Sequence, residues 1–226
     1  MGGPRADGLR LPRRRVRSVY RALLAGHGPQ RWWPGDTPFE VMVGAVLTQN
    51  TAWSNVERAI ANLRAADALD AGTIASVPLR RLAQWIRPSG YFNVKARRLQ
   101  SFCRWYRDAG GMRRLSRWDT GRLRAALLGV HGVGPETADD ILLYAFGRPV
   151  FVIDAYTRRI FARLGLVGGR EPYETLRAAF ERALETDAAL FNEYHALLVV
   201  HGKDVCRPRP RCDACVLRRH CPTADA

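Results

Sequence analysis

Leu128-Gly129-Val130-His131-Gly132-Val133-Gly134-Pro135-Glu136-Thr137-Ala138 is the stretch on which the fold turns. Gly132 and Gly134 bracket a single apolar residue, Val133, and Pro135 suits the first position of a new helix. Helical spacing of apolar residues runs over Thr120 to Leu128 on one side and Glu136 to Phe146 on the other. The unit therefore reads as helix, glycine hairpin, helix. Glycine admits positive φ and lets another backbone approach closely. The free N–H groups that open the second helix point back at the hairpin. Together with the hairpin amides they form an anion pocket suited to a DNA phosphate. Gly-x-Gly alone reads as an ordinary tight turn between two helices, so the decision rests on the rest of the chain.

Charge points the same way. The 226 residues carry 36 Lys and Arg against 21 Asp and Glu, a formal net charge of +15. Such an excess implies an anionic polymer or a membrane surface as partner. No run of about 18 apolar residues exists, which excludes a spanning helix. With 47% hydrophobic residues the chain folds rather than staying disordered, as one large domain or two small ones. Lysine occurs only at Lys95 and Lys203; every other basic residue is arginine, a pattern that codon bias in a GC-rich genome also produces. Arginine stays protonated and cannot serve as an amine nucleophile near neutral pH. Ala22-Leu-Leu-Ala25 is too short for the core of a signal peptide, so a cytoplasmic, reducing setting is expected.

The remaining pattern is helical nearly throughout. Residues 1–17, rich in Gly, Pro and Arg, are expected to form a basic flexible arm, with Arg13 to Arg17 able to touch phosphate. Thr37-Pro38-Phe39-Glu40 has the form of a capping box, Thr37 as N-cap and Glu40 reaching back. Helices are expected over Val16 to Leu24, from Pro38 towards Leu47, over Trp53 to Leu63, from Pro78 to near Trp85, and over Val94 to Tyr106. Later ones are expected at 155–164, 173–185 and 188–200. No alternating pattern exceeds Val150 to Ile153, so the class is all-α. Cys206, Cys212, Cys215 and Cys221 crowd into a short loop with a central Cys-x-x-Cys, which can wrap one compact metal centre; zinc meets that description. Cys103 falls on the apolar side of its helix and reads as core.

After the hairpin comes Phe151-Val152-Ile153-Asp154-Ala155-Tyr156-Thr157-Arg158-Arg159. The two motifs in this order resemble the helix-hairpin-helix DNA glycosylases of the endonuclease III superfamily, from about Pro38 to Cys221. The resemblance implies two helical domains with a cleft between them. It places a six-helix domain at 38–148, with the hairpin motif at about 123–146. The second domain would comprise 18–37 plus 149–226, with an iron–sulfur loop at 206–221. It implies a [4Fe–4S] cluster on Cys206, Cys212, Cys215 and Cys221, although the family pattern has one more residue in the first gap; zinc stays the alternative. It implies Asp154 as the catalytic carboxylate, stabilising positive charge on the sugar. A plain N-cap is the other reading of Asp154, and both can hold at once.

Bifunctional members of the family carry an attacking lysine after the hairpin; here that slot holds Glu136, which cannot form a Schiff base. The segment Trp32-Trp33-Pro34, with Leu47-Thr48-Gln49-Asn50-Thr51-Ala52-Trp53, resembles the branch that excises alkylated purines such as 3-methyladenine. It implies a base pocket with Trp33, Trp53 and Glu136, and Gln49 filling the gap left in the duplex. Each tryptophan reads equally as core or interface packing, and for Trp85, Trp105 and Trp118 core is preferred. Expected DNA contacts are Gln49, Gly132, Val133, Gly134 and Thr137, with Arg207, Arg209 and Arg211 beside the cysteines. The partner implied is double-stranded DNA containing a damaged base, met on the nucleoid by a monomer, with no membrane. Alternatives are a bifunctional glycosylase and lyase acting on oxidised pyrimidines, a mismatch thymine or uracil glycosylase, and a non-catalytic DNA-binding module.

Overall fold

The computed structural model describes residues 8–32 and 35–224. Its Cα positions divide into two compact units, one of Met1–Trp32 with Pro149–Ala226 and one of Trp33–Arg148. Regular structure in the described residues is entirely helical. No helix among them is long and apolar enough to cross a membrane.

The continuous unit holds α2 (Pro38–Leu47), α3 (Trp53–Ala65), α4 (Ala71–Ser76), α5 (Leu79–Trp85), α6 (Phe92–Asp108), α7 (Gly111–Leu115), α8 (Thr120–Leu128) and α9 (Pro135–Asp140). The long α6 packs against α2, α4 and α5. Its face of Ala96, Leu99, Phe102 and Cys103 is buried, and burial pushes the Cys103 thiol far up, as suits a core cysteine. After Asp140 the helix widens into one π-turn, Ile141–Ala145, whose five side chains are all buried. Thr37 caps α2 as expected, its hydroxyl accepting from the Glu40 amide at 3.2 Å. Glu40 does not reach back. It is buried and paired with Arg64 of α3, because a buried carboxylate is better served by a full counter-charge than by one amide. The short α4 and α7 have too few turns to show a period, and the sequence pattern does not announce them.

The discontinuous unit holds α1 (Arg13–His27), α10 (Ala155–Arg163), α11 (Tyr173–Ala183) and α12 (Ala188–Asp204). Phe151, Phe161, Phe180, Phe191 and Tyr194 form its aromatic core; Phe151 and Phe180 stack at 4.5 Å between centroids. Of the basic arm expected over 1–17, residues 1–7 lie outside the described residues, and the chain is helical from Arg13. Val16 is fully buried, Arg17 pairs with Glu185, and the Tyr194 hydroxyl donates to the Val16 carbonyl at 2.8 Å. Burying Leu11, Val16 and Val19 holds this end of the described chain against its unit. Val150 to Ile153 is extended without a strand partner. Side chains satisfy it instead: the Phe151 amide donates to Glu181 at 3.1 Å and the Ile153 amide to the Tyr173 hydroxyl at 3.4 Å.

Candidate active site and cysteine loop

Between α8 and α9 the chain turns on Gly132, whose φ is +89°, in the left-handed region. A Cβ there would stand 2.2 Å from the Arg98 Cγ, so no other residue fits. Gly134 is extended and serves as N-cap of α9, with Pro135 at the first helical position. Nothing lies within 4 Å of where its Cβ would be, which leaves the amides open to an approaching anion. Val133 is buried, so it can offer a ligand only its backbone. Thr137 is buried as well, and Glu136 is exposed in the first turn of α9, where its charge suits the helix dipole.

Gln49 is committed inside its unit. Its Nε2 donates to the Gly132 carbonyl at 3.1 Å and to the Thr137 hydroxyl at 2.9 Å, and Arg98 donates to its Oε1. To fill a gap in a duplex it must first break these bonds. The next residue, Asn50, is exposed with φ +54° at the tip of the turn. Lys95, one helical turn before Arg98, is 2% exposed. Its ammonium donates to the carbonyls of Leu47 at 2.8 Å and Ser89 at 2.6 Å. Burial, and then Arg98, lower its pKa to about 8.

Asp154 caps α10. Its Oδ1 accepts from the Thr157 amide at 2.7 Å, and the residue is 7% exposed. Its Oδ2 lies 3.6 Å from Nε2 of His195, on α12, too far for a hydrogen bond and close enough for a strong field. Burial pushes the Asp154 carboxyl up; His195 and Thr157 together more than reverse this, and it lies below the ordinary carboxylate value. The Trp32 indole is parallel to the His195 ring, within 3°, at 6.4 Å between centroids. Nothing in the sequence marks His195, 41 positions after Asp154 in an apolar helix face. Trp53 is half-buried. It covers Gly44 and borders a cavity of about 260 Å3 lined also by Asp36, Glu40, Glu57 and Arg64. Trp33 lies outside the described residues. Trp85, Trp105 and Trp118 are half-buried, with Arg81 over the Trp85 ring and Arg122 over the Trp118 ring.

The cysteine loop leaves α12 and returns beside α10. Arg159 donates to the carbonyls of Cys206 and Gly202, and Arg163 to those of Arg207 and Pro208, closing the first gap. Arg207, Arg209 and Arg211 are exposed. Arg163 also donates to the Cys206 sulfur at 3.3 Å, and the Cys215 sulfur is 3.5 Å from His201 Nε2. Nδ1 of that imidazole meets His27 at 2.9 Å. Among the described residues no three metal-ligating side chains are drawn in to coordination distance. The four sulfurs are neighbours all the same. The Cys215 thiol is pushed up by burial and, against the Leu217 amide, by Cys206, Cys221 and Cys212. Four thiols sharing one field, on a loop pinned at both ends, fit a four-thiolate centre.

Comparison with known proteins agrees with this geometry. Residues 43–186 match the model of the HhH-GPD superfamily base excision DNA repair protein. The chain is 45% identical over 210 residues to a Methanocaldococcus jannaschii protein named as a DNA repair glycosylase, covering 91% of this chain and 95% of that one. It is similar to the solved H. pylori 3-methyladenine DNA glycosylase bound to 1,N6-ethenoadenine, with 31% identity and a TM-score of 0.70 over 84% of this chain and 95% of that one. It shares its fold with endonuclease III in a non-covalent DNA complex, at 22% identity and a TM-score of 0.82 over 95% and 97% of the two chains. The hairpin and the matched family together make this chain a DNA glycosylase of the HhH-GPD superfamily of base excision DNA repair proteins.

Proposed function

We propose that this glycosylase is monofunctional. It hydrolyses the bond between deoxyribose and an alkylated, positively charged purine of the 3-methyladenine type, flipped out of double-stranded DNA, with water as nucleophile. The observation that carries this reading is the disposition of amines and carboxylates. Glu136 stands in the hairpin slot, and Lys95 is locked by two carbonyls at 2% exposure, while Asp154 is fixed and ionised. As the glycosidic bond breaks, its electron pair leaves with the base. A cationic purine departs neutral and needs no proton. The sugar takes up positive charge, which the Asp154 carboxylate stabilises. The similarity to a 3-methyladenine glycosylase supports the substrate class, as does the half-exposed Trp53: an indole face attracts a flat cation by roughly 0.5–2 kcal/mol and does little for neutral adenine.

The hairpin amides at Gly132 to Gly134 would take phosphate, and so would Arg207, Arg209 and Arg211. Cys206, Cys212, Cys215 and Cys221 would hold a [4Fe–4S] cluster, which when bound supplies a rigid closure of the loop that carries those arginines.

A duplex panel tests the reading, with 3-methyladenine, thymine glycol, G·T and G·U substrates treated with and without alkali. The expected result is release of 3-methyladenine, with strand scission only after alkali. Asp154→Asn should keep its affinity for damaged duplex and lose base release. Scission without alkali, with a borohydride-trapped adduct that disappears in Lys203→Ala or Lys95→Ala, would overturn the monofunctional reading. Release of thymine glycol in preference to 3-methyladenine would overturn the substrate class.

A further inference from the structure

We infer that His27 and His201 form a hydrogen-bond relay that ends on the Cys215 sulfur. His201 is a positioning residue for the four-thiolate centre: its Nε2–H donates to the Cys215 thiolate. His27 holds the His201 imidazole in the tautomer that can donate. This rests on the reading above, in which Cys206, Cys212, Cys215 and Cys221 hold one centre as thiolates.

The three groups lie in one unit and come from three parts of the chain. His27 is the last residue of α1, His201 lies one turn before the end of α12, and Cys215 is in the loop that follows. Nε2 of His27 meets Nδ1 of His201 at 2.9 Å, and Nε2 of His201 is 3.5 Å from the Cys215 sulfur. His201 is fully buried, so water does not compete for its ring nitrogens. The helix that brings His27 is seated directly on the loop. A Cβ on Gly26 would stand 2.3 Å from Cγ1 of Val216, so glycine is what lets the last turn of α1 come this close. Near the start of the same helix, Arg15 donates to the His220 carbonyl at 3.3 Å.

The direction of the relay follows from the acceptor at its end. A neutral imidazole carries one N–H and one lone pair. If His201 donated from Nδ1 to His27, its Nε2 would turn a lone pair towards Cys215. That suits a thiol, which brings its own proton. A thiolate only accepts, so the same arrangement would oppose two lone pairs in a buried place and leave both without a donor. With His27 donating to Nδ1, His201 carries its proton on Nε2 and every contact pairs a donor with an acceptor. Such a bond draws charge from the ligand sulfur. It holds the ligand in place and, in an iron–sulfur centre, raises the potential by favouring the more reduced state. Arg163 already donates to the Cys206 sulfur, and His201 supplies the corresponding donor to Cys215.

The purified holoprotein tests this with His201→Met, His201→Gln and His27→Phe, each shown by its melting curve to be folded and analysed for bound metal. Met removes the donor, whereas Gln can place an amide N–H near the position of Nε2. Release of metal to excess chelator should be about tenfold faster in His201→Met, and His201→Gln should return it to within about threefold of wild type. His27→Phe keeps the donor without fixing its tautomer and should fall between the two. In iron-loaded protein the potential should drop in His201→Met and recover in His201→Gln. Release rates and potential equal to wild type in His201→Met overturn the inference, as does a His201→Gln that recovers neither. Should His201→Met fail to fold, nitrogen NMR of the wild type labelled with ring-15N histidine decides. The proton of His201 should sit on Nε2, and a proton on Nδ1 overturns the relay. The metal analysis separates the two readings. Bound iron with an unimpaired His201→Met removes only the role of His201. Zinc in place of iron removes the cluster and leaves the release and NMR tests in force. A folded wild type that binds neither metal removes the thiolate centre, and the relay with it.

Discussion

Asp154 and Lys95 are both buried ionisable groups with lowered pKa values, so each makes stability rise with pH, in a different window. The Asp154 carboxyl is held below its ordinary 3.8, so its contribution to stability is complete above that value. It is lost only as pH falls through the lower native value, and the carboxylate stays charged throughout the range in which DNA repair is assayed. Lys95 is depressed from 10.5 to about 8. Between those values the unfolded chain binds more protons than the folded one, so stability rises with pH across the window. Against Lys95→Met, which has no such titration, the melting temperature of the wild type should gain steadily from pH 8 towards pH 10.5; parallel curves would show that Lys95 is not desolvated as described. An amine-reactive label at neutral pH should mark exposed Lys203 and spare Lys95 in the folded protein. The N-cap geometry of Asp154 was legible in the sequence because its motif is local. His195 and the carbonyl cage of Lys95 were not, since helix packing brings those partners together from 41 and 48 positions away.

At the scale of elements, the hairpin and the cysteine loop were legible for one reason: all their parts lie within a few residues of each other. Their supports were not. Arg98 packs under Gly132, and Arg159 and Arg163 clamp the cysteine loop; each comes from a distant helix. Gly132→Ala would bring a methyl against Arg98 and force a left-handed φ on alanine. It should weaken binding to undamaged duplex at least about tenfold, with a loss of stability of roughly 1–3 kcal/mol; unchanged binding would show that the hairpin does not hold phosphate. The cysteine loop should yield a brown protein with about four iron per chain. A colourless, folded protein with stoichiometric zinc would replace the cluster by the other four-thiolate centre. The Glu40 capping box failed because its motif is blind to Arg64, whose full charge competes better for the carboxylate.

For the molecule as a whole, a net charge of +15 was the plainest clue to a polyanionic partner, and it also sets a measurable quantity. The logarithm of the affinity for undamaged duplex should fall linearly with the logarithm of salt concentration, each phosphate contact adding roughly 0.9 to the slope. A slope near zero would assign the charge to some other purpose. Composition could not reveal how the chain is divided. That depends on which helices find one another, and α1 finds α12, with Val16 and Tyr194 bonded across 178 positions. One unit is therefore assembled from both ends of the chain, and the other is inserted into it at two points, near Trp32 and Pro149. The insertion has a mechanical consequence. Tension applied to the two ends of the chain loads α1 and the C-terminal helices first. The inserted unit, which carries the hairpin, bears none of that load until α1 has been torn from α12, so the part proposed to grip phosphate is the last to feel a pull.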